Sequence, residues 1–314
     1  MAEEFVGLLN KTITDAIATS QKNGANEQKP NVFDYLDYRS FFRDMYEYLK
    51  KKNYRFSRSA LVQRAGLGIN SRGYFRMIVE GKRNLSEFSI IGFGRAFQLS
   101  EKEIQYLENL VFFNQAKSEK DKLYYLGRLK NLARGGKTIK AVEVLQSQYR
   151  YLSTWYLAAI RELISLPEFT NDPNWIVKKL KGSVTKDQVT EAIKDLITLG
   201  MIEKDETGHL KVIHDVVTFK DNPQNFQVAN TLHREMMELA KNALEHEPYQ
   251  WRSCSSIILA CKASEFESMR EEIKEFRRHL LSKYGQNSAE NDSVVGMGFQ
   301  LFFITDQNKI KENK

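Results

Sequence analysis

Apolar residues recur at a spacing of three and four along most of the chain from Val32 onward, which is the period of an α-helix. Ser, Asn and Gly stand where each apolar run starts or stops, so they divide the first part of this stretch into short helices. The predicted helices are residues 33–49, 57–65, 72–80, 86–99 and 101–115. Five short helices of this size can enclose one core, and we place this module at residues 31–117.

Beyond residue 117 the pattern remains helical and then becomes mixed. Residues 118–166 are helical with a break at Gly135-Gly136. A helix capped at Thr185, a glycine at position 200 and an alternating hairpin up to Ile213 follow, an order typical of a winged helix. Helices are then predicted at Phe226–Glu245 and Phe266–Tyr284, and strands at Trp251–Lys262 and Val294–Thr305. This last region therefore predicts a small α+β domain.

The segment from Ser57 to Ser86 is distinctive, because two of its helices are short and joined by a turn that contains Gly66. Two short helices joined in this way form a helix-turn-helix module. From Asn31 to Ser100 there are 13 Lys+Arg and 6 Asp+Glu, an excess of 7 that equals the net charge of +7 of the whole chain. The positive charge is therefore concentrated where a phosphate backbone would dock.

In such a module the second of the two helices lies in the major groove, with its first residues at the base edges. The residues expected at the base edges are Ser71, Arg72, Gly73, Tyr74 and Arg76, with Met77 one turn further. Arginine suits this position because its fork can bond guanine O6 and N7 together. We expect phosphate contacts from Arg58 and Ser59 and from Lys82, Arg83 and Asn84 on the following turn. The alternative is a solvated face on a helical domain that binds protein.

This segment resembles the helix-turn-helix of the Cro and repressor type, the xenobiotic-response-element class. The resemblance lies in Ala60-Leu61-Val62, Ala65-Gly66, the helix at 72–80, Gly81-Lys82-Arg83-Asn84 and Ala96-Phe97-Gln98-Leu99. It implies DNA binding by the helix at 72–80. The turn at 66–71 is longer than the tight turn of that class, so the resemblance does not fix how this helix enters a groove.

Over about residues 31–305 the chain also resembles a poorly characterised bacterial family of presumed regulators. The motifs that carry this resemblance are FDYLDYRSFFRDMYEYLK, YFRMIVEGKRNLS, ENLVFFNQAKSEKDK and Leu232–Met237. The resemblance implies an N-terminal DNA-binding module and a C-terminal domain of unknown function. It supplies neither a ligand nor a target sequence.

The expected fold is mostly α and multidomain, with a five-helix helix-turn-helix domain, a winged-helix-like middle and a small C-terminal α+β domain. The predicted parts are a flexible tail at 1–30, the helix-turn-helix domain at 31–117, a helical connector with a winged-helix-like domain at 118–218, an α+β domain for dimerisation or sensing at 219–306, and a polar tail at 307–314. The N-terminal tail is either disordered or carries a short helix that docks on a partner or a second copy.

The residue patterns do not indicate an enzyme. Gly135-Gly136-Lys137-Thr138 lacks the first glycine of a phosphate loop, since the required position is Asn131. The five histidines lack the spacing of metal ligands. Cys254 and Cys261 form no metal or redox motif, and we expect buried free thiols. We therefore expect no catalytic residue, no cofactor and no metal.

Two features bear on location. Apolar runs stay well short of the roughly 20 residues that a membrane helix needs. The N-terminus reads MAEEFVGLLN, with acidic residues where a signal peptide carries basic ones. We therefore expect a cytoplasmic protein without a membrane partner.

The leading hypothesis is a sequence-specific transcriptional regulator that binds double-stranded DNA as a homodimer, since such modules gain affinity by pairing half-sites. Its C-terminal region would dimerise or sense a small-molecule or protein effector. The alternative is a protein-interaction or signalling-nucleotide-responsive scaffold that keeps the fold and does not bind DNA. The winged-helix-like part is expected to be a scaffold, because Asp187 and Glu191 on its helix would meet phosphate unfavourably.

Overall fold

The computed structural model describes residues 28–68, 73–134, 136–213, 226–285 and 288–306. Helices dominate these residues, and the sheet assigned among them has two strands. The prediction of a mostly α protein is therefore confirmed. The predicted N-terminal helix and the polar C-terminal tail lie outside the described residues.

The N-terminal module contains helices close to those that the apolar pattern predicts. After a 3-10 turn at Val32–Asp34 come α1 (Tyr38–Lys52), α2 (Arg58–Arg64), α3 (Tyr74–Val79), α4 (Glu87–Ala96) and α5 (Glu101–Gln115). Local caps set where they begin: the Ser57 hydroxyl accepts from the backbone N–H of Ala60 at 3.1 Å. Ser100 and Glu103 form the predicted capping box at the start of α5.

Two of these helices start later than predicted. Helix α1 begins at Tyr38, because Asp37 caps it by accepting from the backbone N–H groups of Arg39 and Ser40. Helix α3 begins at Tyr74 and not at Arg72, because Gly73 adopts a left-handed conformation with φ of +86°. A left-handed residue cannot continue a right-handed helix, so Gly73 sets the start of α3.

Aromatic side chains fix α3 against α1 and α4. The Phe42 ring is fully buried and lies 6.2 Å from the Phe75 ring of α3 and 5.1 Å from the Phe93 ring of α4. Helix α4 also approaches α2 closely, since a Cβ on Gly92 would lie 2.2 Å from the carbonyl oxygen of Ala65. The core therefore determines where the exposed face of α3 points.

The core of the module continues past residue 117 into two further helices, α6 (Glu119–Leu132) and α7 (Gly136–Ser153). Leu126, Leu129 and Val142 are fully buried and belong to the same hydrophobic cluster as the aromatic residues of α1. The buried Asp195 carboxylate accepts from the Ser147 hydroxyl at 2.8 Å and pairs with Arg150. A buried carboxylate requires such partners, so these contacts hold α7 against the segment that contains Asp195.

The next elements have the order of helices followed by a hairpin. They are α8 (Trp155–Ile164), α9 (Pro173–Lys179), α10 (Lys186–Thr198), β1 (Ile202–Lys204) and β2 (Leu210–Val212). The strands pair antiparallel with Ile202 opposite Val212, which confirms the predicted hairpin. Its turn is closed by Asp205, whose side chain accepts from the backbone N–H groups of Thr207 and His209.

The C-terminal part departs from the sequence prediction. Its helices are α11 (Phe226–His246) and α12 (Phe266–Tyr284), with 3-10 turns at Tyr249–Trp251 and Ala263–Glu265. The prediction of strands at Trp251–Lys262 and Val294–Thr305 was wrong, because these residues have no ladder partner among the described residues. β-propensity describes side chains that fit a sheet and does not supply the neighbouring strand. Cys254 and Cys261 are exposed, contrary to the expected burial.

The described residues divide into two compact units. The first extends to Ser153 and takes in Ile193–Gly200, and the second begins at Thr154 and includes the hairpin and α12. None of the helices in the described ranges combines the length and the low charge that a membrane span requires.

Candidate nucleic-acid interface

A shallow hollow between α1, α2 and α3 brings three arginines together. Its lining includes Arg43 of α1, Arg58 of α2 and Arg76 of α3, and all three side chains are exposed. The Arg58 guanidinium lies 5.5 Å from the centre of the Tyr46 ring, which orients it along the helix surface. Glu47 of α1 and Glu80 also line the hollow, so the three arginines outnumber the acids there by one.

Glu80 connects two of the predicted contact residues at the end of α3. Its carboxylate accepts from Arg76 Nε at 2.6 Å and from Lys82 Nζ at 2.8 Å. These hydrogen bonds, first from Lys82 and then from Arg76, hold the pKa of Glu80 below its ordinary value. Glu80 is therefore ionised at neutral pH and offsets part of the local positive charge.

The turn that carries Lys82, Arg83 and Asn84 is fixed at both ends. On one side, the backbone N–H of Lys82 donates to the Met77 carbonyl at 2.8 Å, which closes the end of α3. On the other side, Gln115 of α5 exchanges two hydrogen bonds with the backbone of Leu85, of 2.8 and 3.0 Å. The three exposed side chains therefore project from a turn whose backbone is anchored.

Tyr74 does not occupy the position predicted for it. We expected this side chain at the base edges, but it is 9% exposed and belongs to the core. Its ring stacks on Phe93 at 6.4 Å, and its hydroxyl is 3.0 Å from the Ser89 hydroxyl. The Arg83 guanidinium lies 5.1 Å from the centre of the same ring. Tyr74 therefore supports Arg83 and does not itself face outward.

Four further residues were predicted to contact DNA: Ser59, Ser71, Arg72 and Asn84. Ser59 is exposed on the first turn of α2. Asn84 is exposed, and its side-chain oxygen accepts from Arg39 at 2.9 Å. Ser71 and Arg72 lie outside the described residues. The structure therefore brings Arg43, Arg58 and Arg76 together around one hollow and joins Lys82 to Arg76 through Glu80. Arg83 follows Lys82 on the same turn, and we call these five exposed side chains the basic surface.

Three relevant residues were missed from the sequence: Arg39, Arg43 and Glu80. Arg39 and Arg43 are four residues apart on α1, so helical spacing alone could have placed them on one face. Glu80 lies four residues after Arg76, the spacing at which opposite charges pair on a helix. The contact between Arg39 and Asn84 spans 45 residues, and no local pattern reports it.

Comparison with known families assigns the C-terminal half of the chain to a domain family. The model of the domain of unknown function DUF4423 matches residues 133–304, more than half of the 314 residues. The chain belongs to the DUF4423 family. The DUF4423 region begins near α7 and ends just after the apolar residues that follow α12. The basic surface lies N-terminal to it, so the family match does not bear on the basic surface.

No curated protein and no solved structure matches the chain. The resemblance of residues 57–86 to repressor-type helix-turn-helix modules therefore stays a prediction. The case for a function of the DUF4423 protein rests on the geometry of the basic surface.

Proposed function

We propose that the protein is a cytoplasmic, sequence-specific transcriptional regulator that binds double-stranded DNA through the basic surface. One observation carries this proposal: Arg43, Arg58 and Arg76 line one hollow between α1, α2 and α3, and Glu80 on the same lining links Arg76 to Lys82, which precedes Arg83 on the anchored turn. Converging cations whose backbone is anchored are suited to a polyanion with regularly spaced charges.

The residues of the basic surface divide by expected role. Arg76 projects from α3, the helix that resembles a recognition helix, and its guanidinium would bond a guanine edge once released from Glu80. Lys82 and Arg83 lie on the anchored turn and Arg58 on the first turn of α2, where they would contact phosphates. Arg43 adds a phosphate contact from α1.

The rest of the molecule would support this activity. We propose that α8 to α10 with the hairpin form a winged-helix-like scaffold, because Asp187 and Glu191 of α10 are exposed and would repel phosphate. The region after residue 219 would hold the homodimer together or receive a small-molecule or protein effector. Dimerisation raises affinity by pairing two half-sites.

A charge-matched pair of variants tests the proposal. Lys82→Ala with Arg83→Ala removes two charges from the basic surface, and Arg277→Ala with Arg278→Ala removes two exposed charges from α12. Binding to a random-sequence duplex is measured by fluorescence anisotropy at one fixed salt concentration. We expect the first variant to lose about tenfold or more in affinity, since each lost phosphate contact costs on the order of 1 kcal/mol.

The second variant should bind as the parent does, because net charge falls equally in both. Equal losses in the two variants would show that binding follows overall charge and not the basic surface. A parent protein that does not bind duplex DNA would exclude the proposal and leave the protein-interaction scaffold as the better account.

A further inference from the structure

Two uncharged stretches of the DUF4423 region make no backbone hydrogen bond to any residue that the structure describes. Residues 253–261 (SCSSIILAC) and 294–304 (VVGMGFQLFFI) contain no Asp, Glu, Lys or Arg. Both stretches are described throughout, and among the described residues no backbone hydrogen bond involves either of them. Their N–H and C=O groups are therefore available to an added strand.

The two stretches differ in how they are packed. The second lies against α12, since Phe303 stacks on Phe266 at 4.4 Å and Phe299 meets Phe276 at 5.9 Å. In the part of the chain that the structure describes, each of the nine residues of the first stretch is exposed. Residues 253–261 are therefore the stretch that is free to pair outside the chain.

The stretch 253–261 exposes three consecutive large apolar side chains. Ile257 is 85% exposed, Ile258 83% and Leu259 59%. At roughly 100 Å² each they present on the order of 300 Å² beside an open strand edge. An exposed apolar edge of this kind is a template for pairing with another chain.

We propose that this surface is the contact between two copies of the chain, in which residues 253–261 pair antiparallel with residues 253–261 of a second copy. An uncharged stretch offers no complementarity to an acidic or basic partner, whereas it fits its own copy without repulsion. A two-fold axis also requires an edge to pair with itself, and that pairing satisfies the open backbone groups of both chains. The contact does not depend on DNA binding.

The pairing places the cysteines in a testable position. A two-fold axis between Ile257 and Ile258 sets Cys254 opposite Cys261 of the partner subunit. Within one extended chain these thiols are seven residues apart, roughly 23 Å, which is far beyond the reach of a disulfide. They are the two cysteines of the sequence, so an oxidative crosslink between chains reports contact at this stretch.

The mass of the full chain without DNA tests the proposal. We expect sedimentation equilibrium at micromolar concentration to give twice the chain mass of 36.5 kDa. Ile258→Lys should weaken the dimer about tenfold or more, because it would bury a charge in the contact. Tyr284→Lys, on a side chain of α12 that is 65% exposed, is the matched control and should leave the dimer intact. Circular dichroism checks that both variants keep the parent helix content.

Oxidative crosslinking of the cysteines tests the contact independently of the mass measurement. Copper phenanthroline should convert the parent protein to a disulfide-linked dimer on a non-reducing gel, and Cys254→Ser with Cys261→Ser should abolish it. A parent of monomer mass, or a dimer that neither weakens with Ile258→Lys nor crosslinks, would overturn the proposal. A parent protein of monomer mass would also result if another part of the same chain covered residues 253–261. None of these measurements uses DNA, so their failure would leave binding by the basic surface standing.

Discussion

Glu80 sets how much positive charge the basic surface presents. Its carboxylate bonds both Arg76 and Lys82 in the free protein, and the lowered pKa keeps it ionised at neutral pH. A DNA phosphate would compete with Glu80 for both cations. Glu80 holds the two side chains in place, and under the proposed function it would restrain non-specific DNA binding.

Glu80→Gln should raise affinity for a random-sequence duplex by about three- to tenfold, because it removes a negative charge and loosens two cations. Anisotropy titrations at low salt measure this effect. Glu87→Gln is the matched control, since Glu87 is an exposed acid of α4 in the same module and makes the same change in net charge. If the two variants gain affinity equally, Glu80 has no specific role.

Three buried tyrosines make the stability of the module depend on pH in the alkaline range. Burial raises the pKa of Tyr35, Tyr38 and Tyr106, and it raises that of Tyr38 to about 12 from an ordinary value of 10.0. In the unfolded chain these phenols would ionise near pH 10. Their contribution to stability is therefore complete below pH 10 and is lost as the pH rises from 10 toward 12.

We expect the urea midpoint of unfolding to be steady from pH 8 to 9 and to fall progressively above pH 10. Tyr106→Phe should flatten that fall, because one of the buried phenols is gone. Tyr54→Phe should not, since the Tyr54 side chain is 77% exposed. A midpoint that is unchanged up to pH 11.5 would contradict the burial of these hydroxyls.

At the scale of elements, Gly73 fixes where α3 begins and hence which residues it presents. Its φ of +86° is a conformation that favours glycine, and an added Cβ would meet no atom within 4 Å. The effect of Gly73→Ala is therefore one of backbone strain alone. Gly68 also has open space but no positive φ, so Gly68→Ala is its matched control.

Gly73→Ala should lower the free energy of unfolding by about 1 kcal/mol and weaken DNA binding as α3 shifts, whereas Gly68→Ala should be neutral or slightly stabilising. Chemical denaturation and anisotropy measure the two effects. Equal stability of the two variants would show that the left-handed turn does not set the position of α3.

The helices could be predicted from the sequence because their signals are local. Apolar spacing and caps such as Ser57 and Ser100 lie within a few residues of the helix ends they set. The start of α3 was missed because nothing in its residue types reports the φ of Gly73. The prediction of strands at 251–262 and 294–305 was wrong because strand pairing depends on residues that are distant in sequence. Four of the five residues of the basic surface, Arg58, Arg76, Lys82 and Arg83, were named from the sequence, whereas tertiary packing brings Arg43 beside Arg58 and Arg76.

At the scale of the whole molecule, two surfaces of different chemistry lie in different units. The basic surface belongs to the first unit, and the uncharged stretches at 253–261 and 294–304 belong to the second. We propose a polyanion as the partner of the first surface and a second copy of the chain as the partner of the second. A dimer formed through the second unit would carry two basic surfaces and so raise affinity for paired sites.

The dependence of duplex affinity on salt tests the central claim most directly. Affinity of the full chain for random-sequence duplex is measured over a series of salt concentrations. We expect log K to fall linearly with log salt, with a slope on the order of −4 for each copy if the five cations of the basic surface neutralise phosphates. A flat response, or no detectable binding at low salt, would contradict the claim that this surface binds DNA.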